Sequence, residues 1–221
     1  MVLADQLRLM VITDPELLAG RDPVAVCRAA VAGGATMVQV RGKATPAREL
    51  LSLTRALTAG LAVPVIVNDR VDVALVAGAA GAHLGQDDVP VDAVRPCVPP
   101  GFLLGISVGS PAEAERARRV RADYWSIGPC FATATKPDAG EPLGPTGFAV
   151  LARLAIEVPV IGIGGISAAN AGEIVQAGAA GVAVIHAVLE ARDPGPAAAG
   201  VLRAVISARA GGPSGSPTPA P

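Results

Sequence analysis

Two acidic positions enclose an otherwise almost entirely apolar stretch, VNDRVDVALVAGAAGAHLGQDD at 67–88. Its apolar residues recur at helical spacing and the pattern ends on glycine, which predicts a strand end, a helix and a second strand end. Asp69 and Asp88 should then lie at the same edge of a sheet. Paired carboxylates are typical of a Mg²⁺ site completed by substrate phosphates, although two solvated loop acids would look the same. Asp87 competes with Asp88 for this role, or caps the following turn.

A second polar group lies in MVQVRGK, where Gln39, Arg41 and Lys43 occupy alternate positions. Alternate side chains of an extended strand point to the same side. One amide beside two cations would suit a heterocyclic ring that carries phosphate, whereas a strand that simply emerges into solvent is the alternative. We favour the pocket, because a basic pair that faces an interior needs an anion to offset the cost of burying its charge.

Lysine is rare in this chain, and both lysines fall where a loop is expected. Of 18 basic residues only Lys43 and Lys136 are lysine, the others being arginine. Lys136 lies with Thr133 and Thr135 in GPCFATATKPDAGEPLG, and a loop this long is commonly functional or disordered. An ammonium group makes point contacts with phosphate oxygens. We expect this segment to close over a phosphate-bearing ligand, with a mobile solvated loop as the alternative.

A glycine-rich turn, IGIGGISAAN, follows one of the last apolar runs. Ser167 is the expected N-cap of the next helix, and free backbone N–H groups at such a turn bind phosphate well. A glycine-rich turn is a weak signal alone. Its position near the end of the chain adds weight, because barrel enzymes often bind phosphate after their seventh and eighth strands.

Eight apolar, β-rich runs would position these groups, with helical patterns between them. The runs are LRLMVIT, MVQVR, VPVIVND, AHLGQ, FLLGISV, YWSIGPC, VPVIGIGG and VAVIHAV. Several helical stretches begin at an Asp, Thr or Ser cap and end at glycine. This alternation predicts a single-domain α/β fold, a (β/α)8 TIM barrel over 1–210, with a doubly wound open sheet as the alternative. Chemistry in such a barrel gathers at the carboxyl ends of the strands, where the polar groups above fall.

Composition excludes several classes of protein. The longest uncharged runs are broken by Pro, Gly and Asn, so no membrane helix is expected, and no leader pattern is seen at the N-terminus; the cytoplasm is the default location. A net charge of −1 gives no reason to expect nucleic acid. We expect Cys27, Cys97 and Cys130 to be reduced thiols packed as small hydrophobic groups. The Gly, Pro and Ser tail at 211–221 is expected to be disordered.

The motifs QVRGK, VNDR, HLGQDD, GISV, GPCFATATKPDAGEPLG and IGIGGI, in this order, closely resemble those of thiamine phosphate synthases. The resemblance covers nearly the whole domain, roughly Leu7 to Leu189. It implies a (β/α)8 barrel that joins a hydroxymethylpyrimidine pyrophosphate to a thiazole phosphate and releases pyrophosphate and thiamine phosphate. It also implies a dissociative reaction, in which the protein stabilises departing charge and aligns two rings without a strong nucleophile.

The resemblance assigns a role to each matching position. It implies Mg²⁺ ligation by Asp69 and Asp88. The residues expected around the pyrophosphate are Arg41, Lys43, Asn68 and Lys136. Gln39 and Ser107 match positions near the pyrimidine and its leaving group. The residues expected near the thiazole and its phosphate are Thr133, Thr135, Gly165, Ile185 and His186. Of these residues, the predicted catalytic ones are Lys136, Lys43, Arg41 and Ser107.

Two positions depart from the family pattern, and several alternatives stay open. Gly42 stands where an acidic residue is usual, and His186 where serine is usual. A hydrogen-bonded structural imidazole is the favoured interpretation of both His83 and His186. The alternative functions are a metal-independent thiazole tautomerase, a non-catalytic barrel that binds a phosphorylated ligand, and another phosphate-handling isomerase. The predicted partners are the two small-molecule substrates, with a homo-oligomer left open.

Overall fold

The computed structural model describes residues 2–133 and 140–211 and shows a closed barrel of eight parallel strands. The strands are β1 (Leu9–Ile12), β2 (Met37–Val40), β3 (Val65–Asn68), β4 (Gly81–Leu84), β5 (Leu103–Val108), β6 (Tyr124–Ile127), β7 (Val160–Ile163) and β8 (Gly181–Val184). Each predicted apolar run overlaps one of them, although β4 and β8 begin one residue before their runs. Because β1 pairs with both β2 and β8, the sheet has no free edge, and the alternative of a doubly wound open sheet was wrong.

The helices lie outside the sheet, and most follow a strand. They are α1 (Leu3–Gln6), α2 (Pro23–Ala32), α3 (Ala47–Gly60), α4 (Val71–Ala77), α5 (Val91–Val94), α6 (Pro111–Ala117), α7 (Gly144–Ala152), α8 (Ala171–Gln176), α9 (His186–Leu189) and α10 (Pro194–Ala210). Asp22 caps α2 by accepting from the N–H of Val24, and Ser110 caps α6 by accepting from Glu113. In the described part of the chain no helix combines the length and apolar character needed to cross a membrane.

The final helix, α10, was not predicted, although it is the longest and completes the outer layer. Its buried positions Ala198, Val201, Val205 and Ala208 follow helical spacing. Prolines at the start of the segment obscure this pattern, but proline is tolerated in the first turn of a helix. α10 packs on α2 and α8. Apart from Gly211, the tail predicted to be disordered lies outside the described residues.

The packing explains how a chain with 2% aromatic residues fills a barrel. Inward-facing side chains, among them Met10, Met37, Ile66 and Tyr124, fill the interior, and Val- and Ala-rich clusters fill the space between sheet and helices. Such small and β-branched side chains suit parallel strands buried on both faces.

The three cysteines do not share one environment. Cys27 and Cys130 are buried, as expected, whereas the prediction that Cys97 packs as a hydrophobic group was wrong, because it lies exposed in a short 3-10 turn. Burial raises the pKa of the Cys130 thiol to about 12. The thiolate is the nucleophilic form, so Cys130 is not suited to nucleophilic catalysis.

Candidate active site at the barrel mouth

A cavity of about 690 Å³ opens at the carboxyl ends of the strands. Its volume is typical of small-molecule sites. Every predicted site residue in the described part of the chain lines it: Gln39, Arg41, Lys43, Asn68, Asp69, Asp88, Ser107, Thr133, Gly165, Ile185 and His186. Thr135 and Lys136 lie outside the described residues, so their roles stay predictions. The strand ends thus bring together groups that are up to about 150 positions apart in the chain, as expected of a parallel barrel.

The acidic pair sits where β3 and β4 end. Asp69 takes a left-handed backbone conformation (φ 63°) and donates its N–H to the carbonyl of His83 at 2.8 Å. Asp88 accepts from the N–H of Gly85 at 2.6 Å. Burial, followed by a side-chain hydrogen bond and charge repulsion with Asp88, raises the pKa of Asp69 to about 6, while Lys43 and Arg41 oppose that shift. Two carboxyl groups this close need a proton or a cation between them.

The two carboxylates of the acidic pair are the candidate ligands for a metal ion in this cavity. Among residues 2–133 and 140–211, no group of three or more His, Cys, Asp or Glu side chains is placed to hold a metal ion. Mg²⁺ is commonly held by only one or two carboxylates, with substrate phosphates and water completing its shell. The donor set of Asp69 and Asp88 therefore fits Mg²⁺ bound together with a phosphorylated substrate.

Arg41 lies just past β2 and is held by two residues that follow β1. The Thr13 hydroxyl accepts from the backbone N–H of Arg41 at 2.9 Å and donates to its carbonyl at 3.3 Å. Asp14 pairs with the guanidinium at 2.8 Å, and its other carboxylate oxygen accepts from the N–H of Glu16 at 3.1 Å. The paired side chains are only 17% and 14% exposed. Arg41 is thus fixed through both main chain and side chain.

Lys43 follows in the same loop and also reaches the cavity. The loop is tight at Gly42, where an added Cβ would lie 2.5 Å from the hydroxyl oxygen of Thr45 and 3.2 Å from a methyl group of Leu50. A larger residue at position 42 would force Thr45 to move. The departure from the family pattern at Gly42 therefore concerns the shape of this loop.

On the wall formed by β4 to β6, the side chains of the strands that line the cavity are uncharged, and Glu113 on α6 accepts from the N–H of Gly109 at 2.6 Å. His83 is buried, with Nδ1 at 2.8 Å from the Tyr124 hydroxyl and Nε2 at 3.0 Å from Oγ of Ser107. Burial lowers the pKa of His83 to about 4, a shift that the charge of Asp88 opposes, and burial also raises the pKa of the Tyr124 hydroxyl. Both groups are neutral near pH 7. The expectation that His83 is a hydrogen-bonded imidazole is confirmed.

The glycine-rich turn after β7 packs against the loop that follows β6. Gly164 and Gly165 have φ of 94° and 62°, and Cys130 and Phe131 donate their N–H groups to the carbonyls of Ile163 and Gly164 at 2.8 and 3.0 Å. Positive φ and this close approach both favour glycine. The turn therefore holds a strand-like contact between neighbouring loops at the rim of the cavity.

The predicted helix cap in this region was wrong. α8 begins at Ala171, with Asn170 rather than Ser167 at the N-cap position. Asn170 instead holds the glycine turn: it accepts from the N–H of Ser167 at 2.8 Å and donates to the carbonyl of Gly165 at 3.0 Å. An extra turn between β7 and α8 separates Ser167 from the helix, a spacing that the glycine signal alone does not reveal.

The end of β8 supplies the last part of the rim. Ile185 and His186 line the cavity, and Nε2 of His186 lies 3.8 Å from a carboxylate oxygen of Glu190 one turn later. Glu190 also lines the cavity and was not predicted as a site residue. Asp14 and Tyr124 do not line the cavity themselves, and they too were not predicted as site residues. Each supports a lining residue that comes from another strand, and such a contact leaves no local signal.

Three comparisons with known proteins agree with this geometry. Residues 9–188 match the family model described as thiamine monophosphate synthase. The thiamine-phosphate synthase of Roseiflexus castenholzii is 49% identical over 187 residues, 83% of this chain and 82% of that protein. The thiamine-phosphate synthase of Methanoculleus marisnigri is 47% identical over 188 residues, 84% of this chain and 89% of that protein.

The structure of thiamine phosphate pyrophosphorylase from Pyrococcus furiosus superposes with a TM-score of 0.84 at 36% identity, covering 94% of this chain and 99% of that one. A 3-hexulose-6-phosphate synthase from Salmonella typhimurium, at 16% identity and a TM-score of 0.71, shares the fold alone. The matched region spans all eight strands and the cavity they form. The chain belongs to the thiamine monophosphate synthase family.

Proposed function

We propose that this chain is a transferase of thiamine biosynthesis that joins a hydroxymethylpyrimidine pyrophosphate to a thiazole phosphate, giving thiamine phosphate and pyrophosphate. One observation carries the proposal: a single cavity holds an acidic pair, two cations and an uncharged wall, in a chain 49% identical to a thiamine-phosphate synthase. A diphosphate and two aromatic rings need those three environments side by side.

Lys43 and Arg41 would stabilise the departing pyrophosphate. Arg41 is already paired with Asp14, whereas Lys43 makes no ion pair within the described residues. Lys43 therefore has more net positive charge to offer an anion. Asn68, at the end of β3, can donate an amide hydrogen bond to the same oxygens. Lys136 is proposed for the same role, from a segment outside the described residues.

Mg²⁺ is the proposed cofactor, with Asp69 and Asp88 as its ligands. When bound, it would neutralise charge on the pyrophosphate oxygens and so make them a better leaving group. The support from this chain is the proximity of the two carboxyl groups and the raised pKa of Asp69, which together mark a place where a cation is favoured. Lys43 and Arg41 would complete the electrostatic environment on the protein side.

The uncharged wall would hold the pyrimidine, and the rim after β7 and β8 the thiazole phosphate. Gln39 on β2 is 3% exposed, and Ser107 on β5 lines the same cavity. Gly165, Ile185, His186 and Thr133 form the proposed thiazole-phosphate side. Holding two rings in line converts a bimolecular encounter into one positioned step. The carbon–oxygen bond to pyrophosphate would break first, and the thiazole nitrogen would then attack the cationic methylene.

This reaction asks for no nucleophile on the protein, which suits the residues present. The buried thiol in the neighbouring loop, Cys130, remains protonated because burial raises its pKa. His83 is occupied by two hydrogen bonds and lacks a free ring nitrogen. Electrostatic stabilisation and positioning are then the catalytic means available, and one preorganised contact of this kind is typically worth about 3 kcal/mol.

The direct test is one assay with purified protein, both substrates and added Mg²⁺, which follows thiamine phosphate and pyrophosphate in equal amounts. A thiazole tautomerase would act without metal and release no pyrophosphate. A non-catalytic phosphate-binding barrel would gain thermal stability from the substrates and leave them unchanged. Either result would overturn the proposal. A cytoplasmic location and a possible homo-oligomer stay predictions.

A further inference from the structure

Three neighbouring strands place a hydrogen-bonded chain across the barrel interior. His83 on β4, Gly105 on β5 and Tyr124 on β6 are aligned in register. A Cβ at Gly105 would overlap the Tyr124 ring, so only glycine lets that ring cross β5 and reach His83. The Tyr124 hydroxyl lies 2.8 Å from Nδ1 of His83, and Nε2 lies 3.0 Å from Oγ of Ser107. The chain therefore runs from a buried phenol to the cavity.

The direction of these hydrogen bonds follows from counting donors. Tyr124 is fully buried, and within residues 2–133 and 140–211 its hydroxyl has one hydrogen-bond partner, Nδ1 of His83. If Nδ1 carried a proton, it would donate to the phenol oxygen and the phenol O–H would have no acceptor. A buried donor left unsatisfied costs its full desolvation penalty. The arrangement with lower energy has the Tyr124 hydroxyl donating to a bare Nδ1.

A neutral imidazole with a bare Nδ1 must carry its proton on Nε2. That N–H then donates to Oγ of Ser107, which becomes an acceptor on its buried side. A doubly protonated ring is disfavoured by the same argument, since it also removes the acceptor for Tyr124. The Ser107 hydroxyl keeps its own proton, and the open direction for that proton is the cavity that Ser107 lines.

We propose that Tyr124 is a positioning residue: through His83 it fixes the direction of the hydrogen bonds so that the Ser107 hydroxyl donates its proton into the cavity. The use of that proton rests on the proposed function, in which an anionic pyrophosphate departs. The direction of the chain does not depend on it. A neutral residue 41 positions from His83 would thereby control a contact made by Ser107.

The direction matters because the ligand side of this reaction is anionic. A serine that donates stabilises a developing negative charge on a departing oxygen. The reverse direction, in which Ser107 donates to Nε2, would turn its oxygen lone pairs toward the same anion. The buried Tyr124 hydroxyl would thus determine whether the Ser107 hydroxyl stabilises the departing anion or repels it.

The chain offers a direct spectroscopic test, because it contains only two histidines, His83 and His186. In protein labelled with ¹⁵N-histidine, long-range ¹H–¹⁵N correlation spectra distinguish a protonated ring nitrogen from an unprotonated one by its chemical shift. The spectrum of a His186→Asn variant shows which signals belong to His83. We expect His83 to show a protonated Nε2 and a bare Nδ1. A protonated Nδ1 in the wild-type protein would overturn the proposal.

The Tyr124→Phe variant removes only the hydroxyl, and Thr54→Val is its matched control. Thr54 is a fully buried residue whose hydroxyl donates to the carbonyl of Leu50 on α3, away from the cavity. In Tyr124→Phe we expect a mixture of His83 tautomers, and in Thr54→Val the wild-type spectrum. An unchanged single tautomer in Tyr124→Phe would show that the phenol does not fix the ring.

Kinetics then connect the hydrogen-bond direction to turnover. We expect Tyr124→Phe to lower kcat roughly tenfold, the effect of one hydrogen bond, with little change in KM. In a Ser107→Ala background the same substitution should have no further effect on kcat, because the contact that it orients is gone. An equal loss in both backgrounds would contradict the relay through Ser107. If the protein has no transferase activity at all, the proposed function fails while the tautomer result still tests the relay.

Discussion

The two walls of the cavity use different physical means to hold their functional groups. The charged wall, after β1 to β4, carries Arg41, Lys43 and the acidic pair on loops just beyond the strand ends. The uncharged wall, on β4 to β6, carries His83 and Ser107 within the strands themselves. On the charged wall an ion pair holds Arg41, and hydrogen bonds to the main chain hold Arg41 and the acidic pair. On the uncharged wall, strand register and the missing side chain of Gly105 do this work.

This difference predicts how each wall responds to change. Interactions between partly exposed charges weaken as salt screens them, with a Debye length of about 8 Å at physiological ionic strength. Buried neutral hydrogen bonds do not depend on salt in this way, but they depend steeply on distance and angle. Substitutions on the charged wall should therefore alter electrostatics with little loss of fold, whereas substitutions on the uncharged wall should disturb packing and geometry together.

Disruption of the acidic pair should have the largest effect. We expect chelation of divalent ions, or Asp69→Asn, to lower turnover by about 10²- to 10³-fold, because charge on the departing pyrophosphate would no longer be neutralised. Pyrophosphate release measured with a chelator and then with excess Mg²⁺ checks this. Asp5→Asn, which removes an exposed carboxylate near the N-terminus, is the matched control. Full activity in the presence of the chelator would refute the metal assignment.

Lys43→Ala should have the next largest effect. We expect a loss of about a hundredfold in turnover and an unchanged melting temperature, because in the proposed reaction the ammonium would stabilise departing charge and would not stabilise the fold. Arg118→Ala removes the same charge from an exposed ion pair at the C-terminal end of α6 and should keep turnover. KM for the diphosphate should rise with salt in the wild type and less so in Lys43→Ala.

Lys136→Ala is expected to lower turnover to a similar extent. Near-normal turnover in that variant would show that the loop carrying Lys136 is not part of the site.

Gly105→Ala tests the uncharged wall. The added methyl group would overlap the Tyr124 ring, so the ring or β5 must shift. Overpacking of this kind costs about 1–3 kcal/mol, and each kcal/mol lowers the melting temperature of a domain this size by about 2–4 °C. Gly200→Ala in α10 is the control, because its Cβ would only reach ordinary contact with Ala168 at 3.6 Å. Equal melting temperatures for the two variants would contradict the described packing.

The eight strands and the mouth they form could be predicted because their signals are local. Runs of β-branched residues alternate with helical patterns, and parallel strands in a barrel bring their carboxyl ends to one rim. Arg41, Lys43, Asp69 and Asp88 could therefore be placed together from the sequence. The loop sequence alone suggested that Thr133 contacts a phosphate-bearing ligand. Its assignment to the thiazole side, and the role of Ile185, came from the family resemblance.

The supporting residues could not be predicted, because their partners are distant in sequence. Tyr124 meets His83 across 41 positions, and Asp14 meets Arg41 across 27. Such contacts depend on strand register, and a one-residue shift turns every side chain to the other face. A glycine inside the β5 run was the one local sign of a close approach. Helix α10 was missed for a different reason, since the prolines at its start resemble those of a loop.

Asp14→Asn should have the smallest effect, and it would show whether the charged wall needs positioning as well as charge. Asparagine can still accept from the N–H of Glu16, so the turn after β1 should persist, while Arg41 loses its ionic partner. We expect kcat to fall roughly fivefold, the upper range for a partly exposed ion pair. KM for the diphosphate should not rise, because the negative charge beside Arg41 is removed. In an Arg41→Ala background the substitution should not affect kcat. An equal loss there would mean that Asp14 acts on the fold and does not orient Arg41.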